Sequence, residues 1–285
     1  MGDASIPVDL LSPGQVFASL GFLEAADILC GDAEGGFDWS DEADVHFILR
    51  AAGTENPFKI VLVFLSEAEI QSCGPVGYAE TRKAAAPLIL SETFPCPSPD
   101  QMALPIVLSR SGAKVDLGHW TDGSSRSAFK LYAGNRSAEK VARDMVKGSK
   151  GTHGIAALWR EEQRRMVEKP FEVLTAMGGS FNFDPRGGWV AIDAGYSPNE
   201  HKDHQVQASP TVELLAAWGL EHARPDEYET RRVQYGAWGC ALPPMLARAV
   251  LGGASVGVPA RVFRFELALS GKNKVVTLAQ EVRIS

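Results

Sequence analysis

The segment from Ser12 to Gly31 constrains the fold more than any other. Ser12, Pro13 and Gln15 have the spacing of a helix start: a cap, a proline at the first helical position and a capping-box partner three residues past the cap. Gly31 marks its end, after Cys30. Between these limits Val16, Phe17, Leu20, Phe22, Leu23, Ile28 and Leu29 wrap most of the helix circumference. A helix with so little polar face has to be buried in a core. The chain has 285 residues, of which 45% are hydrophobic and 22% charged, so it can supply that core without disulfide or structural metal.

Around this helix the pattern alternates between periods. An extended segment over Ile6–Leu10 precedes it, Gly35-Gly36 turns the chain, and Val45–Arg50 alternates as a strand. The apolar run from Pro57 to Gln71 fits a helix or a buried strand. Residues 72–103, rich in Pro, Cys and Ser, read mostly as loop, and Leu104–Ser109 as a strand. Helices are expected at 137–147, 154–168, after Ser209-Pro210 and at Pro244–Leu251, with a strand at Arg231–Trp238. The chain closes with a hairpin, Val262–Leu269 and Val275–Val282 around the turn 270–273. No internal repeat is evident. The expectation is one α/β (α+β) domain over 1–285, with a mixed or antiparallel sheet, packed helices and a helical insertion near 110–170.

No apolar run approaches the roughly 18 residues of a membrane span. The early Asp3 and the lack of a basic leader point to a cytoplasmic protein. Cys30, Cys73, Cys96 and Cys240 are scattered without a C-x-x-C pair, as expected of reduced thiols rather than a zinc site. No cofactor fingerprint is present.

The net charge of −7 conceals an asymmetry. Residues 1–70 are strongly acidic, with Arg50 and Lys59 as their only basic side chains, whereas 110–169 carry 13 basic against 7 acidic side chains. Only the middle of the chain would attract phosphate. There Arg136, Lys140, Arg143 and Lys147 fall at i, i+4, i+7 and i+11, a spacing that sets them along one helical stripe, with Ala138, Val141, Ala142 and Met145 opposite. Such a stripe matches a run of phosphates, at about 1.5 Å rise per residue. The same spacing also suits a solvated face neutralised by Glu139 and Asp144.

Just upstream, Arg126 and Lys130 interleave with Trp120 and Phe129, a mixture suited to a sugar-phosphate backbone and base stacking, or to a turn with aromatic anchors in the core. Four glycines in 177–189 would let a backbone approach a partner closely, with Arg186 as the ligand candidate and Phe181 and Phe183 as core. This stretch is neither G-x-G-x-x-G nor a P-loop. Lys272 and Lys274 sit at the last hairpin tip, as phosphate contacts or as solubilising charges. His201, His204 and Asp193 sketch a metal site that reads better as a polar loop. No nucleophile elbow or catalytic cysteine context appears.

Several long strings resemble one known family. The start PVDLLSPGQVFASLGFLEAADILCGDAEGGFDW, the middle DGSSRSAFKLYAGNRSA, MGGSFNFDPRG with DAGYSP, AAWGLEHARP and the end SGKNKVVTLAQE are similar to the type I-U (also called type I-G) CRISPR-associated Csb family, third group. The resemblance implies a part in antiviral defence as a non-catalytic subunit or accessory of a crRNA-guided effector complex. Its partners would be crRNA or target DNA and neighbouring subunits. It also implies a ferredoxin-like (RRM-like) core with insertions, with which the early β-α-β order is compatible. It brings no catalytic residues. The overall acidity departs from an RNA-coating subunit and favours a peripheral one. Two alternatives stay open: a protein-only assembly factor docking the nuclease-helicase through the acidic N-terminal part, and a metal-dependent nuclease.

Overall fold

The computed structural model describes residues 1–78, 87–93, 103–121, 129–132, 136–149, 151–188 and 205–282. Its centre is α1 (Pro13–Cys30), buried from Pro13 to Ala26 except at Gln15, as its nearly all-round apolar sequence requires. The helix begins where expected, but not by a capping box. The Ser12 backbone N–H is already bonded to the Asp9 carbonyl, so Gln15 turns instead to accept from the Asp9 N–H at 2.9 Å. Ser12 makes no side-chain cap bond.

Strand β1 (Gly2–Pro7) lies earlier than the extended segment expected from the sequence, and β2 (Glu34–Asp38) occupies what reads as a turn. With β3 (His46–Ala51) they form an antiparallel sheet in the order β1-β3-β2. Glycine suits β2 for a packing reason. The Phe47 ring covers Gly35, and a Cβ on Gly36 would overlap the Cys240 carbonyl. Helix α2 (Pro57–Glu67) settles the ambiguous run: the Asn56 side chain accepts from Lys59 N at 3.2 Å, with Pro57 at the first position.

The chain then enters a four-stranded sheet, β5-β4-β6-β7, built of β4 (Glu69–Pro75), β5 (Ile89–Ser91), β6 (Ile106–Arg110) and β7 (Ala113–Leu117). Here β4 and β5 are parallel and the other pairs antiparallel. Helices α3 (Ala138–Lys147) and α4 (Ile155–Glu168) follow within a residue of expectation. Both pack into the common hydrophobic core, α3 against β4 and α4 against α2.

Short strands β8 (Thr175–Ala176) and β9 (Gln207–Ala208) pair with each other and lead to α5 (Pro210–Gly219). The third large sheet joins β10 (Asp226–Glu229), β11 (Arg232–Trp238), β12 (Ala260–Ser270) and β13 (Asn273–Val276), with β14 (Gln280–Val282) also on β12 and α6 (Pro244–Leu251) against β11. In β12, Phe263, Phe265 and Leu267 are buried and alternate with exposed Arg264 and Glu266. The returning segment is split at Thr277, whose hydroxyl donates to the Glu266 carbonyl at 2.8 Å.

Helices α1 and α5 meet backbone to backbone. Gly14 faces Val212, a Cβ on Gly21 would overlap the Leu215 carbonyl, and one on Gly219 would overlap that of Phe17. Each of the two helices starts at a Ser-Pro and precedes an antiparallel hairpin and a further helix: α1-β2-β3-α2, then α5-β10-β11-α6. This repeated order is not evident in the sequence. The fold is mixed α/β, with several sheets and packed helices. Among the described residues no helix is long and apolar enough to cross a membrane.

Candidate nucleic-acid interface

Helix α3 does not present the straight basic stripe that its spacing suggests. Its cap is Ser137, whose hydroxyl accepts from Lys140 N at 3.2 Å, so Arg136 precedes the helix. The apolar face is as expected: Ala138, Val141, Ala142 and Met145 are buried. So is Glu139, 4% exposed, and it draws Arg143 inward. Arg143 Nε donates to Glu139 Oε1 at 2.7 Å and Nη2 to the Ile70 carbonyl on β4 at 2.8 Å. Arg143 therefore ties α3 to the neighbouring sheet. Lys140 Nζ lies 3.3 Å from Asp144, and Lys147 is exposed at the helix end, where a cation suits the dipole.

The geometry assembles a different cationic feature. An open cleft of about 860 Å³ lies between α3, the glycine loop after β8 and the last hairpin. Arg136 and Lys140 line one side, Gly178, Gly179 and Ser180 another, and Lys272 the hairpin side. Three stretches that the sequence marks separately thus meet. The loop lies close to its neighbours: a Cβ on Gly178 would overlap the Ser149 hydroxyl, and one on Gly179 would sit 3.0 Å from Arg136 Nη1. Among the described lining residues three cations face one carboxylate, Asp144, which engages Lys140. That leaves a local surplus of positive charge on a chain of net −7.

Beneath the cleft lies a buried acidic network that sequence reasoning missed. Asp184, fully buried, receives two bonds from the Arg186 guanidinium, at 2.8 and 2.7 Å, and one from Ser209 N at 2.8 Å. Arg186 is therefore the counter-ion of Asp184 rather than a free ligand. Glu213 of α5 reaches the same segment, accepting from Asp184 N at 2.8 Å. Burial, with the Asp184 carboxylate adding to it, pushes its carboxyl up to about 7 against the opposing hydrogen bonds from Asp184, Phe183 and Ser180. Its Oε2 has no hydrogen-bond partner among the described residues. The available signal was a lone carboxylate inside the otherwise apolar α5.

The remaining candidates disperse. Lys130 lies over the Tyr132 ring, 4.9 Å from its centroid. Lys274, on β13, does not line the cleft; its backbone N–H bonds to the Leu131 carbonyl. Trp120 and Phe129 are core residues, stacked on Phe181 and Phe183 at 5.1 and 6.2 Å, so they offer no platform to bases. Phe181 and Phe183 are buried as expected. His119, also buried, is held down to about 3 by burial, with Arg224 adding to the shift. Arg126, Asp193, His201 and His204 lie outside the described residues. Among the described residues no three His, Cys, Asp or Glu are grouped to hold a metal ion.

Comparison with protein-family models, with curated proteins and with solved structures finds no match to this chain.

Proposed function

We propose that the chain is a non-catalytic subunit or accessory of a type I CRISPR effector complex that holds crRNA or target DNA by its backbone. The observation that carries this reading is the convergence of Arg136, Lys140 and Lys272 with the Gly178–Ser180 loop around one open cleft. Cations and a glycine-lined wall suit phosphate oxygens, and the volume falls in the usual range of ligand clefts. Tyr132, the aromatic residue among the described lining, is buried, so the contact would follow the backbone without stacking on bases.

A ferredoxin-like core is part of the same reading. The order β1-α1-β2-β3-α2, with the antiparallel sheet β1-β3-β2, is that of such a core through its second helix. The departure is β4, which pairs with β6 rather than returning beside β1. No described residue lining the cleft comes from β1, β2 or β3, so the proposed contact does not use that sheet.

The test is binding of labelled single-stranded RNA and DNA across a salt series. Arg136→Glu with Lys272→Glu should weaken binding at least tenfold and reduce the slope of log K against log salt by about 0.7 per lost contact. Lys147→Glu, outside the cleft, should leave both unchanged. Unaltered affinity and slope in the double variant would remove the cleft from the mechanism.

A further inference from the structure

A second groove, apart from the cationic cleft, has the opposite chemistry. It lies where the end of α1 meets the start of α6, has a volume of about 410 Å³, and is lined by Asp27, Asp32 and Glu34 with Pro243, Pro244 and Met245. Arg248 also borders it, but this guanidinium is committed to the buried Glu24 carboxylate through two bonds. The same guanidinium also feels Asp27, so Asp32 and Glu34 are the acids without a free cation among the described lining residues.

The sign of this charge runs against helix electrostatics. The C-terminus of a helix carries partial negative charge and favours cations. Helix α1 has no basic residue in its last turn, and Asp27 and Asp32 add negative charge at that end. Beside them Met245 is 72% exposed, and Ile28, next to Asp27 in the chain, is 51% exposed. A flexible thioether on a surface adapts to varied apolar partners, and Met is enriched at protein interfaces.

We infer that this groove docks a basic segment of a partner protein, one that places an apolar side chain against Met245 and the two prolines and sets Lys or Arg against Asp32 and Glu34. Charge complementarity selects that occupant: a polyanion would be repelled by the same three carboxylates. The inference does not depend on the cationic cleft.

Methyl-labelled methionine allows a direct test. An amphipathic peptide of lysine and leucine should shift the Met245 methyl resonance, and a glutamate–leucine peptide of the same pattern should not. Asp32→Asn with Glu34→Lys should weaken the basic peptide at least about tenfold; asparagine is chosen because Asp32 has a φ of 47°, a conformation it tolerates. Arg136→Glu with Lys272→Glu should leave the peptide affinity unchanged. A Met245 resonance indifferent to the basic peptide, or equal affinity in the D32N/E34K protein, would overturn the inference. So would a Met245 shift that depends on protein concentration without peptide, which would assign the groove to a second copy of this chain.

Discussion

Truncating Arg143 separates a structural role from a ligand role. In Arg143→Ala the Glu139 carboxylate, 5% exposed in its side chain, loses its counter-ion, and the Ile70 carbonyl loses a donor. Removing one partner of a buried pair typically destabilises by about 3–5 kcal/mol. The Arg143 side chain is 31% exposed, so water can reach part of the vacated space, and we place the loss near the lower limit, at about 3 kcal/mol. For a chain of this size that corresponds to a fall of roughly 6 °C in Tm. Urea unfolding at pH 7, with calorimetry, measures it. Lys140→Ala is the milder case: Lys140 is 56% exposed but Asp144 only 9% in its side chain, so the loss should lie between that of an exposed pair and that of Arg143→Ala, at about 1–2 kcal/mol. Glu139→Gln combined with Arg143→Ala should recover part of the loss by removing the stranded charge. The reasoning is refuted if Arg143→Ala keeps stability within about 0.5 kcal/mol of the parent while nucleic-acid affinity drops.

Glu213 has a raised carboxyl pKa in the folded chain, so folding favours its protonated form. Stability should then fall as pH rises from its ordinary 4.5 through about 7, by an amount on the order of 3 kcal/mol, and level off above. Comparing Glu213→Gln with the parent across pH 4–8 isolates the effect, because the variant should lack this slope. Gly21→Ala should destabilise by about 2 kcal/mol or more in urea unfolding, although alanine is the better helix former, because its Cβ meets the Leu215 carbonyl. Arg186→Ala should destabilise by about 3 kcal/mol, by stranding fully buried Asp184 beside Glu213; a stability unchanged from the parent would show Arg186 to be free for other work.

Much of the architecture was legible from local signals. Ser-Pro starts, a glycine stop and a 3.6-residue period place α1, α3, α4, α5 and α6 nearly to the residue, because caps and turns are decided by a few adjacent side chains. Strand β2 was hidden because its glycines answer to Phe47 on the next strand and to Cys240 far along the chain. Strand β7 is short, and its partner β6, not its own pattern, defines it. The expected basic stripe failed for a similar reason: spacing fixes where a side chain leaves a helix, but Arg143 extends to wherever Glu139 and Ile70 wait. Conversely, Arg136, Gly178 and Lys272 are far apart in sequence, and only tertiary packing makes them one site.

The glycine seam between α1 and α5 also bears on how the molecule is made. The surface that α1 needs against Gly14 and Gly21 is synthesised nearly two hundred residues later. Contacts of such sequence separation form late, since the intervening loop must close first. During translation α1 therefore emerges oily on nearly every side with its permanent neighbour still unmade. A nascent chain in that condition invites chaperones or wrong partners, and fragments lacking the last third should precipitate rather than persist as a smaller folded protein.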